Sequence, residues 1–294
     1  MSSKVILCTG ANQGLGLAII QVAALRYPEN TYILCSRDLS AGQEAVQKLR
    51  DVGVMAEIDL VELDVINDQQ IYAVVEHVMT RYGRLDVLIN NAGILRRTPD
   101  ENATLTTIRN TYNEILNLNL TSVAVISTAF TPLLYKSTDP KVINITSGLG
   151  SIQNALTKKM GRSVPYGASK VGLNGLTAHM QVVENDRVQA EEEGSLEGKG
   201  KLSGLAAHMR GAENDGVQEG DSVEEKSKSK KSKIRYFACQ PGVLRTAFSN
   251  YFPQGKDPVD GAEVVVRLLG DDEGKYEGGS YWEFVNGEMK VVPW

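Results

Sequence analysis

Two residues of this sequence have types and a spacing that suggest proton-transfer chemistry. Tyr166 and Lys170 stand four positions apart in the stretch "VPYGASK", and side chains at this spacing share one face of a helix. A free tyrosine has a pKa of about 10, and a nearby ammonium group lowers that pKa because it favours the phenolate. The pair therefore predicts a tyrosine that donates and accepts a proton near neutral pH, although the same spacing is also common on solvent-exposed helix faces.

Two further stretches offer polar side chains that could hold a reacting oxygen. Thr146 and Ser147 end an apolar run in "VINITSGLG", and ligands bind at the carboxyl ends of strands in open α/β sheets. Asn117 and Asn119 stand in "NLNLTS", where a polar side chain inside a helix can also bond only to neighbouring backbone. The residues alone leave both choices open.

A glycine-rich stretch between a predicted strand and a predicted helix indicates a phosphate site. The stretch "TGANQGLG" covers residues 9–16. We expect Gly10 to permit a tight turn, Gly14 to let the backbone approach a phosphate, and Gly16 to let the helix pack closely on the strand. The free N–H groups and the positive dipole end of the helix then favour a pyrophosphate. In this strand–turn–helix context the pattern is typical of a dinucleotide-binding turn.

The end of the second predicted strand, "CSRD", bears on the choice between NAD and NADP. An acidic residue here binds the ribose 2′-hydroxyl of NAD, whereas an arginine can pair with the 2′-phosphate of NADP. Arg37 precedes Asp38, so we predict that NADP(H) is preferred over NAD(H). In the competing interpretation, Arg37 is a solvated loop residue and Asp38 caps the next helix.

Short apolar runs alternate with helical patterns along the chain, which predicts a doubly wound, Rossmann-type α/β fold. Strands buried on both faces form continuous apolar runs, and their alternation with helices indicates βαβ units around a parallel sheet. We expect one domain over residues 1–294, with helices on both faces of the sheet. The predicted strands are 4–9, 31–36, 56–64, 85–90, 141–146 and 233–240, and the predicted helices are 14–27, 41–53 and 68–83.

The bulk composition argues against several classes of protein. A formal net charge of −5 over 294 residues disfavours nucleic-acid binding, which requires a basic face. Cys8, Cys35 and Cys239 show no disulfide spacing, and the sequence shows no signal-peptide pattern, so we expect a reducing, cytoplasmic location. No apolar run reaches the roughly 18 residues of a membrane span, and the three histidines have no metal-ligand spacing.

Five motifs occur in an order that resembles the short-chain dehydrogenase/reductase family. They are "TGANQGLG", "LDV" at 63–65, "NNAG" at 90–93, "YGASK" at 166–170 and "PGVLRT" at 241–246. The resemblance covers nearly the whole chain except residues 190–233, and the stretch "SRDLSAGQEAVQKLRDVG" is most similar to the carbonyl-reductase-like branch. NADP-preferring relatives often have a basic residue just before the second motif glycine, where this chain has Gln13. The predicted NADP preference therefore rests on Arg37.

The resemblance implies roles for these residues in a carbonyl reduction. NADPH would deliver hydride to a carbonyl carbon, Tyr166 would protonate the oxygen, and Lys170 would tune Tyr166 and bond the nicotinamide ribose. Ser147 is favoured over Thr146 for holding the substrate oxygen, and Asn119 over Asn117 for a proton relay through water. The implied cofactor-binding residues are Gly10, Asn12, Gln13, Gly14, Leu15, Gly16, Arg37, Asp64 (at the adenine), Val65, Asn91, Ala92, Gly93, Tyr166, Lys170, Pro241, Gly242, Val243 and Thr246 (at the nicotinamide end).

The expected substrate is an apolar or aromatic ketone, aldehyde or quinone, or the corresponding alcohol. The gap between Ser147 and Tyr166 is longer than is usual in the family, which predicts an excursion beside the pocket, and residues 247–255 are a candidate lid. A catalytically silent NADP-binding regulatory or scaffold protein, and an epimerase or dehydratase, are the alternatives on this fold. A monomer and a homo-oligomer are both open. The candidate pocket residues are Ile94, Leu95, Leu149, Ile152, Phe248, Tyr251 and Phe252.

Residues 175–189 and 204–218 are near copies, with ten of fifteen positions identical. The first copy continues the helix that carries Tyr166. The second copy has Gly211 and Gly216 in place of Val182 and Arg187, and each interior glycine weakens a helix by about 1 kcal/mol. Residues 190–233 are rich in Glu, Gly, Lys and Ser, a composition that buries little surface. We therefore expect a charged, mobile insertion made by local duplication, and we expect catalysis to survive deletion of residues 201–231.

Overall fold

One eight-stranded sheet organises the structure, a computed structural model that describes residues 3–158, 163–193 and 232–294. The strands are β1 Val5–Cys8, β2 Thr31–Ser36, β3 Glu57–Glu62, β4 Val87–Asn90, β5 Lys141–Ile145, β6 Arg235–Gln240, β7 Ser280–Val285 and β8 Glu288–Val291. Their order across the sheet is β3-β2-β1-β4-β5-β6-β7-β8. Neighbouring strands are parallel except for the antiparallel pair of β7 and β8. The predicted doubly wound sheet is confirmed.

Helices cover both faces of this sheet. They are α1 Gly14–Arg26, α2 Leu39–Asp51, α3 Asp68–Tyr82, α4 Leu105–Leu116, α5 Ser122–Leu134, α6 Ile152–Thr157, α7 Val164–Glu192 and α8 Pro258–Leu269. A π-helical turn, Asn117–Thr121, joins α4 to α5, and short 3₁₀ turns occur at Gly148–Gly150 and Ala247–Ser249. The predicted insertion lies largely outside the described residues, so its mobility stays a prediction.

The two faces of β1 belong to two different hydrophobic clusters. Ile6 and Cys8 pack with apolar residues of α1 and α8 on one face, whereas Val5 and Leu7 pack with those of α3 and α5 on the other. Successive side chains of a strand point to opposite faces of its sheet. Because both faces are covered, every residue of β1 is buried, which explains why the strand is a continuous apolar run in the sequence.

Sequence analysis did not predict the last three elements, α8, β7 and β8. Strand β8 is the edge of the sheet and mostly exposed, and β7 beside it is mostly half-buried, so neither has a continuous apolar run. Helix α8 contains the run "VVV", which favours a strand. Its start is nevertheless marked by Asp257, which caps the helix, and by Pro258 in the first turn.

Helices α4 and α5 with the turn between them form one helical run, Leu105–Leu134, that was not predicted. It has 30 residues and is long and apolar enough, by length and composition alone, to cross a membrane. However, 44% of its apolar window is buried inside the fold, and Ile126, Phe130 and Leu133 belong to the core. A core helix passes the same test, so the run is weak evidence for a membrane span.

Helix α7 includes the whole first copy of the repeat, as predicted. Gln181 ties this part of the helix to β6, because its side-chain oxygen accepts from Tyr236 N at 2.8 Å. Arg187 forms an ion pair within the same helix at 2.6 Å. The second copy has Arg210 and Gly216 at the corresponding positions, so it does not reproduce the side chains that make these contacts.

Candidate active site

A cavity of about 960 Å³ opens where β1, β4, β5 and β6 end. The strand order reverses between β1 and β4, and ligands of doubly wound sheets bind in the crevice at such a point. The walls come from the loops after these strands and from the first turns of α1 and α7. One cavity therefore contains both the predicted nucleotide turn and the predicted catalytic residues.

The three motif glycines occupy positions where a larger residue does not fit. Gly10 and Gly14 have φ values of +61° and +56°, in the left-handed region that glycine tolerates best. A Cβ on Gly10 would also lie 3.1 Å from Ala92 Cα. Gly16 packs so closely that a Cβ would lie 2.5 Å from Asn91 Nδ2. The tight turn and the close helix packing agree with the expectations from the sequence.

Thr9 and Asn91 fasten the glycine turn to the end of β4. The Asn91 side chain donates to Thr9 O at 2.9 Å and to Gly10 O at 3.0 Å. The Thr9 hydroxyl accepts from the backbone N–H groups of Asn91 and Ala92, each at 3.0 Å. Sequence analysis missed Thr9, although its position directly before the first motif glycine was a usable signal.

The N-terminus of α1 meets the cavity without a side-chain cap. Helices α2, α3, α4 and α8 are each capped by a side-chain oxygen, but Gln13, at the N-cap of α1, makes no such bond. Gln13, Gly14 and Leu15 all line the cavity. Backbone N–H groups at an uncapped helix N-terminus bind phosphate well, because the helix dipole is positive there. The residues present therefore fit the diphosphate of a dinucleotide.

Arg37 and Asp38, at the end of β2, differ in whether their side chains are free to bind a ligand. Arg37 is exposed, lines the cavity, and has no ion pair within the described part of the chain. The Asp38 carboxylate accepts from Ala41 N at 3.1 Å and caps α2. A ligand at this end of the cavity therefore faces a free guanidinium, while the carboxylate is already engaged.

Most of the predicted cofactor-binding residues line the cavity, but two do not. Gly16 lies behind the turn, and Asp64, predicted at the adenine, is flanked by Leu63 and Val65, which do line it. The Asp64 carboxylate accepts from Ile66 N at 3.2 Å and so bonds within its own loop. The residues that line the cavity are Gly10, Asn12, Gln13, Gly14, Leu15, Arg37, Val65, Asn91, Ala92, Gly93, Tyr166, Lys170, Pro241, Gly242, Val243 and Thr246.

Ser147, Tyr166 and Lys170 come together at the cavity. Tyr166 and Lys170 are buried in the first two turns of α7, and the Lys170 Nζ lies 5.7 Å from the centre of the Tyr166 ring. The same Nζ donates to Ile145 O at 2.7 Å. Ser147 follows β5, and hydrogen bonding from its side chain acts to lower the pKa of Tyr166. Thr146 also lines the cavity but has no such effect on the Tyr166 pKa.

Burial dominates the pKa values of Tyr166 and Lys170. It raises the pKa of Tyr166 to about 12, against the hydrogen bond from Ser147, which lowers it. It lowers the pKa of Lys170 to about 8. The predicted lowering of the Tyr166 pKa is therefore wrong for the protein without a cofactor. Removing the phenolate from water costs more than the hydrogen bonding from Ser147 offsets.

Asn119 is buried in the π-helical turn between α4 and α5. Its side-chain oxygen accepts from Ile94 N at 2.8 Å, and its amide group donates to Ile94 O at 2.9 Å and to Ser169 Oγ at 3.1 Å. Asn117, the competing residue, is exposed. Asn119 thus joins the loop after β4 to the catalytic helix α7, and π-helical turns often occur at functional sites. It is not part of the cavity wall, so the water relay stays a prediction.

Apolar and aromatic side chains form the cavity wall near Tyr166. Phe248 packs edge-on against the Tyr166 ring, with 5.8 Å between centroids. Lys158 and Arg245 also line the cavity; sequence analysis did not identify them, since isolated basic residues in loops form no pattern. Within the described ranges, no group of three or more His, Cys, Asp or Glu side chains could hold a metal ion. Of the predicted pocket residues, Ile94, Leu95, Leu149, Phe248 and Tyr251 line the cavity, whereas Ile152 and Phe252 do not.

The candidate lid contains two consecutive strained backbone positions. Asn250 and Tyr251 have φ values of +53° and +51°, a conformation that costs a non-glycine residue about 1 kcal/mol or more. The N–H of Tyr251 donates to Thr246 O at 2.8 Å and closes the turn. Strain of this kind clusters at functional sites. Whether the segment opens and closes stays a prediction.

Comparison with known proteins identifies related sequences and folds. The family model described as short chain dehydrogenase matches residues 4–189. A short-chain dehydrogenase/reductase of Aspergillus fumigatus is 53% identical over 294 residues, covering 100% of this chain and 98% of its own. Carbonyl reductase (NADPH) 1 of Mus musculus is 29% identical over 300 residues, with 100% and 99% of the two chains covered. The solved structure of NADPH-bound carbonyl reductase from chicken fatty liver shares the fold, with a TM-score of 0.68 at 24% identity over 100% of both chains.

Proposed function

The chain belongs to the short-chain dehydrogenase/reductase family of oxidoreductases, and we propose that it uses NADPH to reduce an apolar or aromatic carbonyl compound, or catalyses the reverse oxidation. One observation carries the proposal. The glycine turn, the free guanidinium of Arg37 and the Ser147, Tyr166 and Lys170 group all line a single cavity. A nucleotide-binding end and a proton-donating end therefore lie side by side at one edge of the sheet.

The cavity residues suggest how NADPH would be held. The uncapped N-terminus of α1 suits the diphosphate, and Arg37 suits the 2′-phosphate, because guanidinium and phosphate form paired, charge-assisted hydrogen bonds. Thr246 lines the cavity and is proposed for the nicotinamide end on the family resemblance; its methyl group lies close to the turn, 3.5 Å from where a Cβ on Gly14 would be. When bound, NADPH supplies the hydride that reduces the carbonyl carbon.

Tyr166 is the proposed proton donor to the carbonyl oxygen. With a pKa of about 12 in the protein alone, it is protonated at neutral pH and ready to donate. Ser147, which lines the same cavity, would hold the same oxygen as negative charge develops on it. Lys170, with a pKa of about 8, carries its charge at neutral pH and stabilises the phenolate that proton donation leaves behind.

The wall around Tyr166 supports an apolar or aromatic substrate. Ile94, Leu95 and Leu149 are aliphatic, and Phe248 and Tyr251 add aromatic surface. Pockets with mostly apolar walls and a few converging polar groups favour apolar ligands oriented by one or two hydrogen bonds. The mouse relative is named as an NADPH-dependent carbonyl reductase, which supports the same class of reaction.

The test is Tyr166→Phe, assayed by NADPH oxidation against a panel of ketones, aldehydes and quinones. Loss of the proton donor is expected to lower kcat by about 10²- to 10⁴-fold, while NADPH binding, followed by its fluorescence, is unchanged. Tyr251→Phe is the matched control. It also removes a tyrosine hydroxyl from the cavity wall, but Tyr251 has no proposed role in proton transfer.

Three outcomes would contradict the proposal. Wild-type protein that binds NADPH but reduces no member of the panel would indicate a silent NADP-binding protein. Product formed without net NADPH oxidation would indicate an epimerase or dehydratase. Equal kcat values for wild type and Tyr166→Phe would remove Tyr166 from the mechanism.

A further inference from the structure

The segment that carries Ser147 is hydrogen-bonded to residues 293–294, which follow the last strand, β8. Ser147 is followed by the turn Gly148–Gly150 and by α6, the excursion predicted between Ser147 and Tyr166. Ser151, the N-cap of α6, donates from Oγ to Pro293 O at 2.6 Å. The N–H of Gln153 points to Trp294 O at 3.4 Å. Residues 293–294 therefore hold the start of α6.

A third and more direct bond reaches Ser147 itself. Tyr281, a fully buried residue of β7, donates its hydroxyl to Ser147 O at 2.6 Å. The same carbonyl also accepts from Gly150 N at 2.7 Å. Burial raises the pKa of Tyr281, so its hydroxyl keeps its proton and remains a donor. The backbone of Ser147 is thus fixed by two hydrogen bonds on one oxygen.

Tyr281 is in turn held on both sides by residues 292–294. The Trp294 ring stacks on the Tyr281 ring, with 5.6 Å between centroids and 25° between planes. Val292 N donates to Tyr281 O at 2.7 Å, and Val292 packs with Tyr281 and Ala238 in a small apolar cluster. Because its ring is packed and its hydroxyl is hydrogen-bonded, the Tyr281 side chain restricts movement of the Ser147 backbone.

We propose that Tyr281 is a positioning residue for carbonyl reduction: braced by residues 292–294, its hydroxyl fixes the Ser147 backbone and thereby holds the Ser147 hydroxyl against Tyr166. The inference rests on the proposed function, since it gives Tyr281 no role except through Ser147. A catalytic hydroxyl that is free to drift by a fraction of an ångström loses much of its effect.

The experiment is a double-mutant cycle of Tyr281→Phe and Ser147→Ala, with kcat, KM and NADPH binding measured for all four proteins. One hydrogen bond contributes between about twofold and tenfold to an equilibrium or rate. Tyr281→Phe alone is expected to lower kcat within that range and to leave NADPH binding unchanged. In the Ser147→Ala background, the same substitution is expected to change kcat by less than about twofold, because the group that it positions is gone.

A pH profile gives a second readout. Hydrogen bonding from Ser147 lowers the pKa of Tyr166. Lys170, Cys239 and Tyr281 are ionisable groups of the same region, and Lys158, Arg245, Tyr251 and Asp257 line the same cavity. A displaced Ser147 therefore raises the pKa of Tyr166. In the alcohol-oxidation direction, the rate rises with pH as Tyr166 loses its proton. We expect this rise to move to higher pH in both Tyr281→Phe and Ser147→Ala.

Tyr32→Phe is the matched control. Tyr32 is also a fully buried strand tyrosine that donates to a backbone carbonyl, Tyr27 O at 3.0 Å, but it does not contact the cavity. It is expected to keep the wild-type kcat and pH profile. Trp294→Leu, which removes the stacked ring at a partly exposed position, is a milder second variant in case Tyr281→Phe does not fold, and it is expected to lower kcat in the same direction.

The outcomes separate this inference from the proposed function. If Ser147→Ala keeps the wild-type kcat, the proposed role of Ser147 is wrong. If Ser147→Ala loses activity but Tyr281→Phe and Trp294→Leu keep wild-type kcat and pH profiles, the positioning role alone is wrong. It is equally wrong if Tyr32→Phe loses as much kcat as Tyr281→Phe, or if Tyr281→Phe lowers kcat as much without Ser147 as with it.

Discussion

Replacing Lys170 with methionine is expected to stabilise the cofactor-free protein while removing its activity. The Lys170 side chain is 4% exposed, and within the described residues its Nζ has one bonded partner, Ile145 O at 2.7 Å. Its charge is therefore held away from water without a carboxylate beside it. Burying a charge in this way costs free energy, and a protein retains it where catalysis requires it.

The magnitude follows from the pKa of the lysine. Burial lowers this pKa from 10.5 to about 8, which corresponds to about 3 kcal/mol of cost for keeping the ammonium charged at neutral pH. Methionine has a similar length and helix propensity and is uncharged. The lost hydrogen bond to Ile145 O subtracts about 1 kcal/mol. Lys170→Met is therefore expected to raise the free energy of unfolding by about 2 kcal/mol.

The sign of the pH dependence is equally specific. Between the folded pKa of about 8 and the unfolded value of 10.5, the unfolded chain binds more protons at Lys170 than the folded protein does, so wild-type stability rises with pH in this window. The advantage of Lys170→Met is therefore complete below pH 8 and fades as the pH rises towards 10.5. Urea unfolding of the cofactor-free proteins at neutral pH and near pH 10 measures both values.

A second buried lysine gives the matched control. Lys141 is 0% exposed, but its Nζ lies 2.8 Å from an oxygen of Asp139 and donates to Leu269 O at 3.0 Å. Burial lowers the pKa of Lys141 as well, but Lys141→Met also removes the ion pair with Asp139 and the bond to Leu269 O, so it is expected to gain less stability than Lys170→Met. The reasoning on Lys170 would be refuted if Lys170→Met were less stable than wild type at pH 7, or if its gain persisted undiminished at pH 10.

Three further predictions concern cofactor choice, packing and the repeat. Arg37→Ala is expected to weaken NADPH binding about tenfold and leave NADH binding unchanged, because it removes the only free guanidinium among the described residues at that end of the cavity; an unchanged NADPH/NADH ratio by fluorescence titration would contradict this. Gly16→Ala, which places a Cβ 2.5 Å from Asn91 Nδ2, is expected to cost about 2 kcal/mol of stability and to weaken NADPH binding more than Gly175→Ala, where a Cβ meets nothing within 4 Å. Arg187→Gly gives α7 the residue that the second copy carries. It removes the 2.6 Å ion pair with Glu184 and is expected to lower the free energy of unfolding, measured in urea, by roughly 3 kcal/mol. Asp186→Gly, at an exposed position of the same helix, is expected to cost only about 1 kcal/mol.

Most of the strands that the sequence predicted are buried on both faces, although β3, at one edge of the sheet and only half-buried, was predicted as well. Strands β1, β2, β4 and β5 are almost wholly buried, so their apolar runs identify them without any knowledge of their neighbours. Strands β7 and β8 lie at the edge of the sheet and carry mixed residues. Which strand forms an edge depends on the order of the sheet, and no local pattern records that order.

The residues of the candidate site likewise divide into those that local sequence spacing identifies and those that it does not. The motif glycines, Tyr166 and Lys170 are identifiable from spacing, because a turn and a helix are local structures. The choice of Ser147 over Thr146 and of Asn119 over Asn117 required the resemblance and stays a prediction, with Ser147 acting on the pKa of Tyr166 and Asn119 buried beside Ser169. Asp64 shows the opposite case, since it belongs to a motif but bonds within its own loop.

By itself, the sequence determined the class of fold, the nucleotide turn and the identity of the chemically competent side chains, since each depends on residues close together in the chain. Only the tertiary structure decided how those side chains behave. Burial raises the pKa of Tyr166 and lowers that of Lys170, and burial is a property of the whole packed fold. The contact between Tyr281 and Ser147 joins residues 134 positions apart. It exists only because the register of the sheet sets Tyr281, near the start of β7, level with Asn144 near the end of β5, two strands away.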